Sequence, residues 1–282
     1  MYCKSLFVCP VCGSELMING KNYKCENNHS FDAAKSGYIN LLTSNKMNSK
    51  SPGDNKQMVQ ARSGFLDKGY YSHLRECLSK AVLSAAKDND ILLDAGCGEG
   101  YYTDGIAQEL QKNGITLNIA GIDISKFAAD KAAKRCRKAE FAVGSVFHIP
   151  FKEKSCDILM NVFAPFCYDE YIRILRDGGY MIMAIPDRFH LWELKKAVYD
   201  NPYENKPKQE EIDGFEFVKK LSAKKKILLE SNNDIINLFA MTPYFYNTKP
   251  EDRQKLSDIE SLETQTEFEF LIYRKKENFN GT

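Results

Sequence analysis

The sequence predicts a Rossmann-like α/β fold, that is, a doubly wound and mostly parallel sheet, with a small cysteine-rich domain in front of it. Two observations carry this prediction. From residue 91 onward, short apolar runs alternate with helical patterns, as they do in parallel sheets whose strands are joined by helices. Near the start of the chain, three cysteines and a histidine have the spacing of metal ligands.

The composition describes a folded protein and gives a weak indication of its partner. Its 282 residues are 43% apolar and 27% charged, which suits one α/β domain with a small appendage. No apolar run reaches the roughly 18 residues of a membrane span, and no secretion signal is seen, so we expect a cytoplasmic protein without membrane contact. Residues 1–80 carry eleven Lys and Arg against six Asp and Glu (+5), and the rest carry 28 against 32 (−4). The basic part suits a polyanionic partner and, equally, an ordinary solvated surface.

Four residues near the start have the spacing of a zinc site. Cys9 and Cys12 are followed by twelve residues and then by Cys25 and His29. A two-residue gap lets both thiolates of one turn face the same ion, and zinc prefers four sulfur and nitrogen ligands in a tetrahedron. Because the protein fills all four positions, we expect one structural Zn²⁺ per chain in a zinc-ribbon-like domain over residues 1–42. Disulfide pairing is the lesser alternative.

The next segment, residues 43–87, is expected to hold a polar linker and connecting helices, with a break near Gly69. The third unit, residues 88–282, is expected to contain the sheet. Its strands are predicted at 91–95, 117–124, 140–143, 156–163 and 179–185. Helices are predicted between and after them at 102–111, 127–137, 170–175 and 191–199. Two strongly alternating runs, 215–221 and 264–274, predict long strands that suit antiparallel edges, with a helix at 233–241 between them.

A strand-like run leads into a glycine-rich turn at LLDAGCGEG, residues 92–100. The acid and the glycines of this turn are Asp94, Gly96, Gly98 and Gly100. Glycines permit a sharp strand-to-helix turn and a close approach of ligand, and Asp123, 23 residues after Gly100, can accept hydrogen bonds from two ribose hydroxyls. This spacing resembles motif I of class I methyltransferases, which bind S-adenosylmethionine. A nicotinamide cofactor is the alternative, and it fits the spacing less well.

Two other strand ends are candidate parts of the site, because ligands of open parallel sheets bind at the carboxyl ends of the strands. Ser145 follows the third predicted strand, where this fold usually contacts adenine. Phe163 and Phe166 follow the fourth strand, where the methyl acceptor is expected. Enzymes of this class that methylate exocyclic amines often have Asn/Asp-Pro-Pro-aromatic here, and FAPF departs from that pattern. Either phenylalanine could stack on a base, or could belong to the core.

Several motifs together resemble the bacterial 23S rRNA (guanine-N1)-methyltransferase family. They are CPVC with CENNH, FDAAKSGYINLL, SPGDNKQMVQARSGFLDKGYY, DAGCGEGYYT, FAP and RFHLWELK. The resemblance runs from Cys9 to about Tyr199 and resumes weakly at MTP (241–243) and in the last strand. It implies methyl transfer from S-adenosylmethionine to N1 of a guanine, with the zinc domain helping to recognise a 23S rRNA hairpin.

The family also implies roles for individual residues. The zinc ligands would be the four residues above, and cofactor contacts are implied at Tyr71, Gly100, Tyr101 and His190. Some members of the family are linked to macrolide-type antibiotic resistance. Residues 200–230 depart from the family pattern, so the position of the guanine and its RNA context are left open, as is a homodimer.

Methylation of guanine N1 requires that a proton leaves, so a base or a charge-stabilising pocket is expected. His190 is the first candidate, with Asp187 and Asp169 behind it, and a histidine that only packs against the following helix is the competing interpretation. Two other functions compete: a small-molecule methyltransferase with a structural zinc domain, and an RNA-binding protein without activity. Lys46, Lys50 and Arg62 are expected to contact RNA phosphates, unless they are only solubilising residues.

Overall fold

The computed structural model of the chain describes residues 3–43, 53–206, 210–277 and 279. Within these ranges the cysteine-rich start forms an antiparallel sheet in the order β1-β2-β3-β4. Its strands are β1 (Cys3–Val8), β2 (Glu15–Asn19), β3 (Asn22–Lys24) and β4 (Ser30–Asp32). Phe7 and Leu16 fill a small core between the strands and the neighbouring domain. We call residues 3–32 the ribbon.

The following residues form a large mixed sheet flanked by helices. Its strands are β5 (Ile39–Asn40), β6 (Ile91–Ala95), β7 (Asn118–Asp123), β8 (Ala139–Val143), β9 (Cys156–Val162), β10 (Leu175–Pro186), β11 (Phe215–Leu229) and β12 (Leu262–Lys275). The helices are α1 (Lys56–Leu66), α2 (Ser72–Ala85), α3 (Tyr101–Lys112), α4 (Lys126–Arg135), α5 (Tyr168–Ile174), α6 (Trp192–Val198), α7 (Asn232–Ala240), α8 (Tyr244–Asn247) and α9 (Pro250–Gln254). Among the helices so described, none is long and apolar enough to cross a membrane.

The strand order is β11-β12-β10-β9-β6-β7-β8-β5, so the chain reverses its direction of travel across the sheet between β6 and β9. All neighbouring pairs from β10 to β5 are parallel, whereas β12 is antiparallel to β10 and to β11. A ligand of such a sheet binds at the carboxyl ends of the strands next to the reversal. The ends of β6, β7 and β9 therefore define where a site belongs.

The predicted doubly wound sheet is confirmed, and its details differ from the sequence-based expectation in two places. First, β12 lies inside the sheet, so of the two alternating runs only β11 forms an edge. Second, β11 extends to Leu229 instead of ending at Leu221. Its middle carries exposed lysines at 224–226, which interrupt the alternation of apolar and polar residues that revealed its first half. The lysines face solvent on an edge strand, where charge discourages pairing with another chain.

The ribbon is joined to the sheet at the β8 side. Ile39 and Asn40 pair with Ala142 and Val143 as the last parallel strand of the sheet. The backbone N–H of Val8 also donates to the carbonyl of Pro150, at 2.9 Å. The ribbon is therefore held to the large domain by hydrogen bonds as well as by its covalent connection, and it lies beside β8.

Candidate functional site

Two tight turns of the ribbon carry the predicted metal ligands. In the first turn the N–H of Gly13 donates to the carbonyl of Cys9 at 2.8 Å. In the second the N–H of Asn28 donates to the carbonyl of Cys25 at 3.0 Å. Gly13 and Asn28 have φ of +74° and +64°, the left-handed region that glycine and asparagine tolerate best. Each turn thus folds back sharply and directs two ligands into one space.

The four ligand atoms, from Cys9, Cys12, Cys25 and His29, all lie within 4.8 Å of one another. The sulfurs of Cys12 and Cys25 are 3.8 Å apart, and Nδ1 of His29 lies 3.5 Å and 3.4 Å from the sulfurs of Cys9 and Cys25. A tetrahedral zinc ion with bonds of about 2.3 Å to sulfur and about 2.0 Å to nitrogen would place two sulfurs roughly 3.8 Å apart and sulfur and nitrogen roughly 3.5 Å apart. The donor set and its spacing fit zinc. Because protein ligands would fill all four coordination positions, none is left for a catalytic water.

At the switch point, β6 turns into α3 through three glycines in the left-handed region, with φ of +85° at Gly96, +54° at Gly98 and +80° at Gly100. A Cβ on Gly96 would lie 2.4 Å from Cβ of Ala164, and one on Gly100 would lie 2.9 Å from the backbone of α4. These two glycines therefore allow the loop to pack. Gly98 is buried, but a Cβ on it would meet only the guanidinium of Arg62, at 3.6 Å, so Gly98 is the glycine of the loop that has space beside it.

Asp94 is a buried acid at the end of β6. Its side chain is 1% exposed, and Oδ2 accepts a hydrogen bond from Oγ1 of Thr103 at 2.6 Å. Oδ1 has no hydrogen-bond partner among the described residues. Burial raises the pKa of Asp94 to about 7, although the bond from Thr103 lowers it. A buried oxygen without a partner is costly, and a nearby cation would offset that cost. The positively charged cofactor predicted from the sequence fits this requirement.

The raised pKa of Asp94 gives a testable pH dependence. The folded protein holds a proton that the unfolded chain, in which this carboxyl has its ordinary pKa of 3.8, has already released. This contribution to stability is present at low pH and is lost as pH rises toward the folded-state pKa. From about pH 5.5 to about pH 7, the wild type should lose about 2 kcal/mol of unfolding free energy relative to Asp94→Asn.

Urea unfolding without cofactor, at several pH values, measures this difference. Asp258→Asn replaces an exposed acid and is the matched control, for which the difference from wild type should stay constant with pH. Parallel stability profiles for wild type and Asp94→Asn would show that Asp94 is not the titrating group.

Asp123 ends β7 beside the glycine loop. Its Oδ2 accepts from the N–H of Gly98 at 2.9 Å and its Oδ1 from the N–H of Ser125 at 2.8 Å. Burial raises the pKa of Asp123, and these two backbone bonds lower it. A carboxylate has about four acceptor positions, so each oxygen keeps capacity for a ribose hydroxyl. Ser145 lies just past the end of the neighbouring β8, and its Oγ accepts from the N–H of Phe147 at 3.2 Å.

Tyr71 and His190 form a buried pair. Oη of Tyr71 lies 3.4 Å from Nε2 of His190, and Nδ1 of His190 accepts from the N–H of Glu267 at 3.2 Å. This second bond assigns the ring proton to Nε2. Burial lowers the pKa of His190 to about 3, so the imidazole is neutral. Since the lone pair of Nδ1 is already used, the geometry favours a packing role over a base, and contact of His190 with the cofactor stays a prediction.

Tyr101 follows Gly100 directly and begins α3. Its ring is buried, and the guanidinium of Arg75 lies 4.8 Å from the ring centroid. Within the described part of the chain its hydroxyl has no hydrogen-bond partner. An unpartnered hydroxyl at the start of this helix is compatible with the predicted cofactor contact.

The two phenylalanines at the end of β9 have different environments. Phe166 packs edge-on against Tyr171, with ring centroids 5.4 Å apart, and is partly buried. Phe163 is 44% exposed and has φ of +57°. A non-glycine residue in this region costs roughly 1–2 kcal/mol, and such strain is concentrated at functional sites. Of the two, Phe163 is the ring available for stacking, and Phe166 matches the core interpretation.

The carboxylate candidates for a base also differ. Asp187 follows the end of β10, and Nζ of Lys224 lies 2.6 Å from its Oδ2. Although burial works in the opposite direction, the hydrogen bond from Lys224 lowers the pKa of Asp187. A lowered pKa makes Asp187 a weak base. Asp169 is exposed in the first turn of α5.

Sequence reasoning missed the residues that connect α1 to the glycine loop. Glu99 is only 2% exposed, and its Oε2 accepts from Oγ of Ser63 at 3.2 Å and from Nη2 of Arg135 at 2.7 Å. The sequence offered one indication of this contact, because Glu99 is a charged residue between two glycines of a loop that was expected to be buried. Arg62 pairs with Asp54 at 2.6 Å beside the loop, and its expected contact with RNA stays a prediction. Lys46 and Lys50 lie outside the described residues.

Comparisons with known proteins agree with both parts of this site. Residues 7–50 match the zinc-ribbon family of RlmA N-terminal domains, and residues 86–242 match a family of methyltransferase domains. Together with the glycine loop at the switch point and the four metal ligands, these matches define a class I, S-adenosylmethionine-dependent methyltransferase with an N-terminal zinc ribbon.

Individual relatives narrow the class. The chain is 35% identical, over 194 residues, to the 23S rRNA (guanine(748)-N(1))-methyltransferase of Streptomyces fradiae, which covers 67% of this chain and 66% of the relative. It is 27% identical to the putative 23S rRNA (guanine-N(1)-)-methyltransferase YxjB of Bacillus subtilis, over 96% of this chain and 98% of the relative. A third relative, from Micromonospora griseorubida, carries the same putative name and is 32% identical over 66% of this chain and 67% of the relative. The chain belongs to the 23S rRNA (guanine-N1)-methyltransferase family.

Proposed function

We propose that the chain transfers the methyl group of S-adenosylmethionine to N1 of a guanine in a 23S rRNA hairpin. The match to the Bacillus subtilis relative carries this proposal, because it extends over the ribbon and the methyltransferase domain together. The competing small-molecule function has weaker support. A phthiotriol/phenolphthiotriol dimycocerosates methyltransferase of Mycobacterium tuberculosis is 31% identical but covers only 33% of this chain.

The residues at the strand ends can be assigned to steps of this reaction. S-adenosylmethionine, when bound, supplies a methyl group on a positively charged sulfur. Gly98 and Asp123 would hold its methionine and ribose portions, and Ser145 its adenine. Phe163 would stack on a guanine turned out of the RNA helix. The FAPF segment has no polar side chain that could hydrogen-bond to an exocyclic amine. This favours a ring nitrogen as the atom that receives the methyl group.

The proton of guanine N1 has to reach a base as the methyl group arrives. The neutral and doubly hydrogen-bonded His190 is poorly placed for this role. Asp187 and Asp169 stay candidates, Asp187 because it follows β10, the neighbour of the strand at whose end the acceptor is expected. In this proposal most of the rate enhancement comes from positioning the guanine and the cofactor against each other.

The remaining parts of the proposal concern the surroundings of the enzyme. The ribbon and the polar linker, which carries Lys46 and Lys50, would hold RNA by its phosphates. A ribosomal RNA substrate supports a cytoplasmic location, and membership of the family makes macrolide-type antibiotic sensitivity a property to measure. A homodimer is a separate expectation, which light scattering of the purified protein tests.

Mass mapping of 23S rRNA from a deletion strain tests the proposal. We expect one N1-methylguanosine to disappear and to return when the wild-type gene is supplied. Supplying Phe163→Ala should restore the mark at least tenfold more slowly in a time course, whereas Asp258→Asn should behave as wild type. An unchanged methylation map, or methyl transfer into the small-molecule fraction instead, would contradict the proposal.

A further inference from the structure

The segment that leads into α1 contacts both loops assigned to the cofactor. Gly53 approaches the end of β7 so closely that a Cβ there would lie 2.6 Å from Cγ2 of Ile124. Oγ of Ser125 donates to the carbonyl of Asp54 at 2.6 Å. Within α1, Ser63 donates to Glu99 of the glycine loop. Helix α1 and its preceding turn are therefore attached to both loops and form a wall of the site.

Arg62 extends from this wall toward the loop surface. Its Nη1 lies 2.6 Å from Oδ2 of Asp54 and 3.6 Å from the position that a Cβ on Gly98 would occupy. The charge of Arg62 is also close enough to lower the pKa of Asp123, against the larger effect of burial. Arg62 and Asp123 thus both lie beside Gly98, Asp123 at its N–H and Arg62 next to the space that a side chain would fill.

Fold stability gives little reason for an arginine at this position. The side chains of Arg62 and Asp54 are 26% and 22% exposed, and a solvent-accessible ion pair contributes only about 0–1 kcal/mol. A guanidinium has five N–H donors, and in the part of the chain that the structure describes Asp54 is the one ion-pair partner of Arg62. The unused donors point to an additional anionic partner.

We propose that Arg62 binds the carboxylate of the methionine portion of S-adenosylmethionine, with Asp54 holding the guanidinium in place before the cofactor enters. The proposal rests on the cofactor use of the proposed function and adds a residue to it. The fork of a guanidinium matches a carboxylate with two parallel hydrogen bonds. Three polar groups of the site then correspond to three parts of the cofactor: Asp123 to the ribose, Asp94 to the positive charge and Arg62 to the carboxylate.

Calorimetry with two ligands tests this assignment without RNA. S-adenosylhomocysteine contains the amino-acid portion, whereas 5′-methylthioadenosine has the same nucleoside and lacks the carboxylate. Arg62→Ala should lower the affinity for S-adenosylhomocysteine by about tenfold or more and leave the affinity for methylthioadenosine unchanged. Asp123→Ala, the positive control, should weaken both ligands. Asp54→Asn keeps a side-chain oxygen that can accept from Arg62 and removes a negative charge that opposes the ligand's carboxylate, so S-adenosylhomocysteine should bind at least as tightly as to wild type.

Three outcomes would overturn the proposal. Equal losses for both ligands in Arg62→Ala would mean that Arg62 only shapes the site. A loss in Asp54→Asn equal to that in Arg62→Ala would mean that the ion pair is structural. Unchanged affinity for both ligands with weakened rRNA binding would restore Arg62 to the phosphate contact expected from the sequence. If Arg62→Ala does not fold, Arg62→Gln supports the same comparison. The rRNA mass mapping and the calorimetry can fail independently. If the methylation map is unchanged but Arg62→Ala loses affinity for S-adenosylhomocysteine alone, only the RNA substrate is rejected, and the role of Arg62 stands.

Discussion

Replacing Cys12 by Ser is expected to release the zinc ion and to unfold the ribbon, while the methyltransferase domain still binds cofactor. Zinc binding contributes roughly 10–16 kcal/mol in small zinc domains. The ribbon has few buried apolar side chains of its own, chiefly Phe7, Leu16 and Tyr23, and a unit of this size does not fold on such a core alone. The ribbon side chains share one hydrophobic cluster with Ala95 and Ile122, but the glycine loop also rests on a second, larger cluster through Cys97 and Tyr101, so cofactor binding should survive.

The measurement combines metal analysis with hydrogen exchange. Cys12→Ser should lower the zinc content from one ion per chain to well below one, and amides of residues 3–32 should exchange at least a hundredfold faster. Cys3→Ser is the matched control, because Cys3 is an exposed cysteine of the same sheet that is not part of the ligand cluster. Full zinc content in Cys12→Ser, or a parallel loss of cofactor affinity, would contradict the separation of the two units.

The parts of the site that could be predicted from the sequence are those whose residues are close together in the chain. The spacing of Cys9 and Cys12 fixes a metal turn locally. The run from Asp94 to Gly100 likewise fixes a strand, a turn and a helix, and the structure begins α3 within one residue of the predicted start. The order of strands and helices then gave the fold class, because parallel strands need helical connections.

The parts that could not be predicted depend on contacts between distant residues. Ser63 and Glu99 are 36 residues apart, and His190 and Glu267 are 77 apart. Neither pair has a local pattern, so the neutral state of His190 and the position of α1 appear only in three dimensions. Phe163 and Phe166 are both plausible from the sequence, and the backbone conformation of Phe163, together with its exposure, is what separates them.

A second large effect is expected at the glycine loop. Gly98→Val should reduce affinity for S-adenosylhomocysteine at least tenfold, which corresponds to about 1.4 kcal/mol, because a branched side chain would fill the space beside Gly98 that is assigned to the cofactor. Its φ of +54° also strains any L-residue, by roughly 1–2 kcal/mol. The fold itself should survive, because a Cβ at this position meets no backbone within 4 Å. Gly96→Val should behave differently and impair folding, since its Cβ would lie 2.4 Å from Cβ of Ala164.

Gly114→Val separates the backbone strain from the loss of cofactor space. Gly114 has φ of +72°, and a Cβ there would meet nothing within 4 Å. It lies between α3 and β7, away from the carboxyl ends of the strands. Both valine variants should therefore lose a similar amount of unfolding free energy in urea, while calorimetry finds weakened cofactor binding in Gly98→Val alone. Zinc content should be unchanged in both, because the ribbon is not altered. Wild-type affinity in a folded Gly98→Val protein would mean that the cofactor does not bind over this loop.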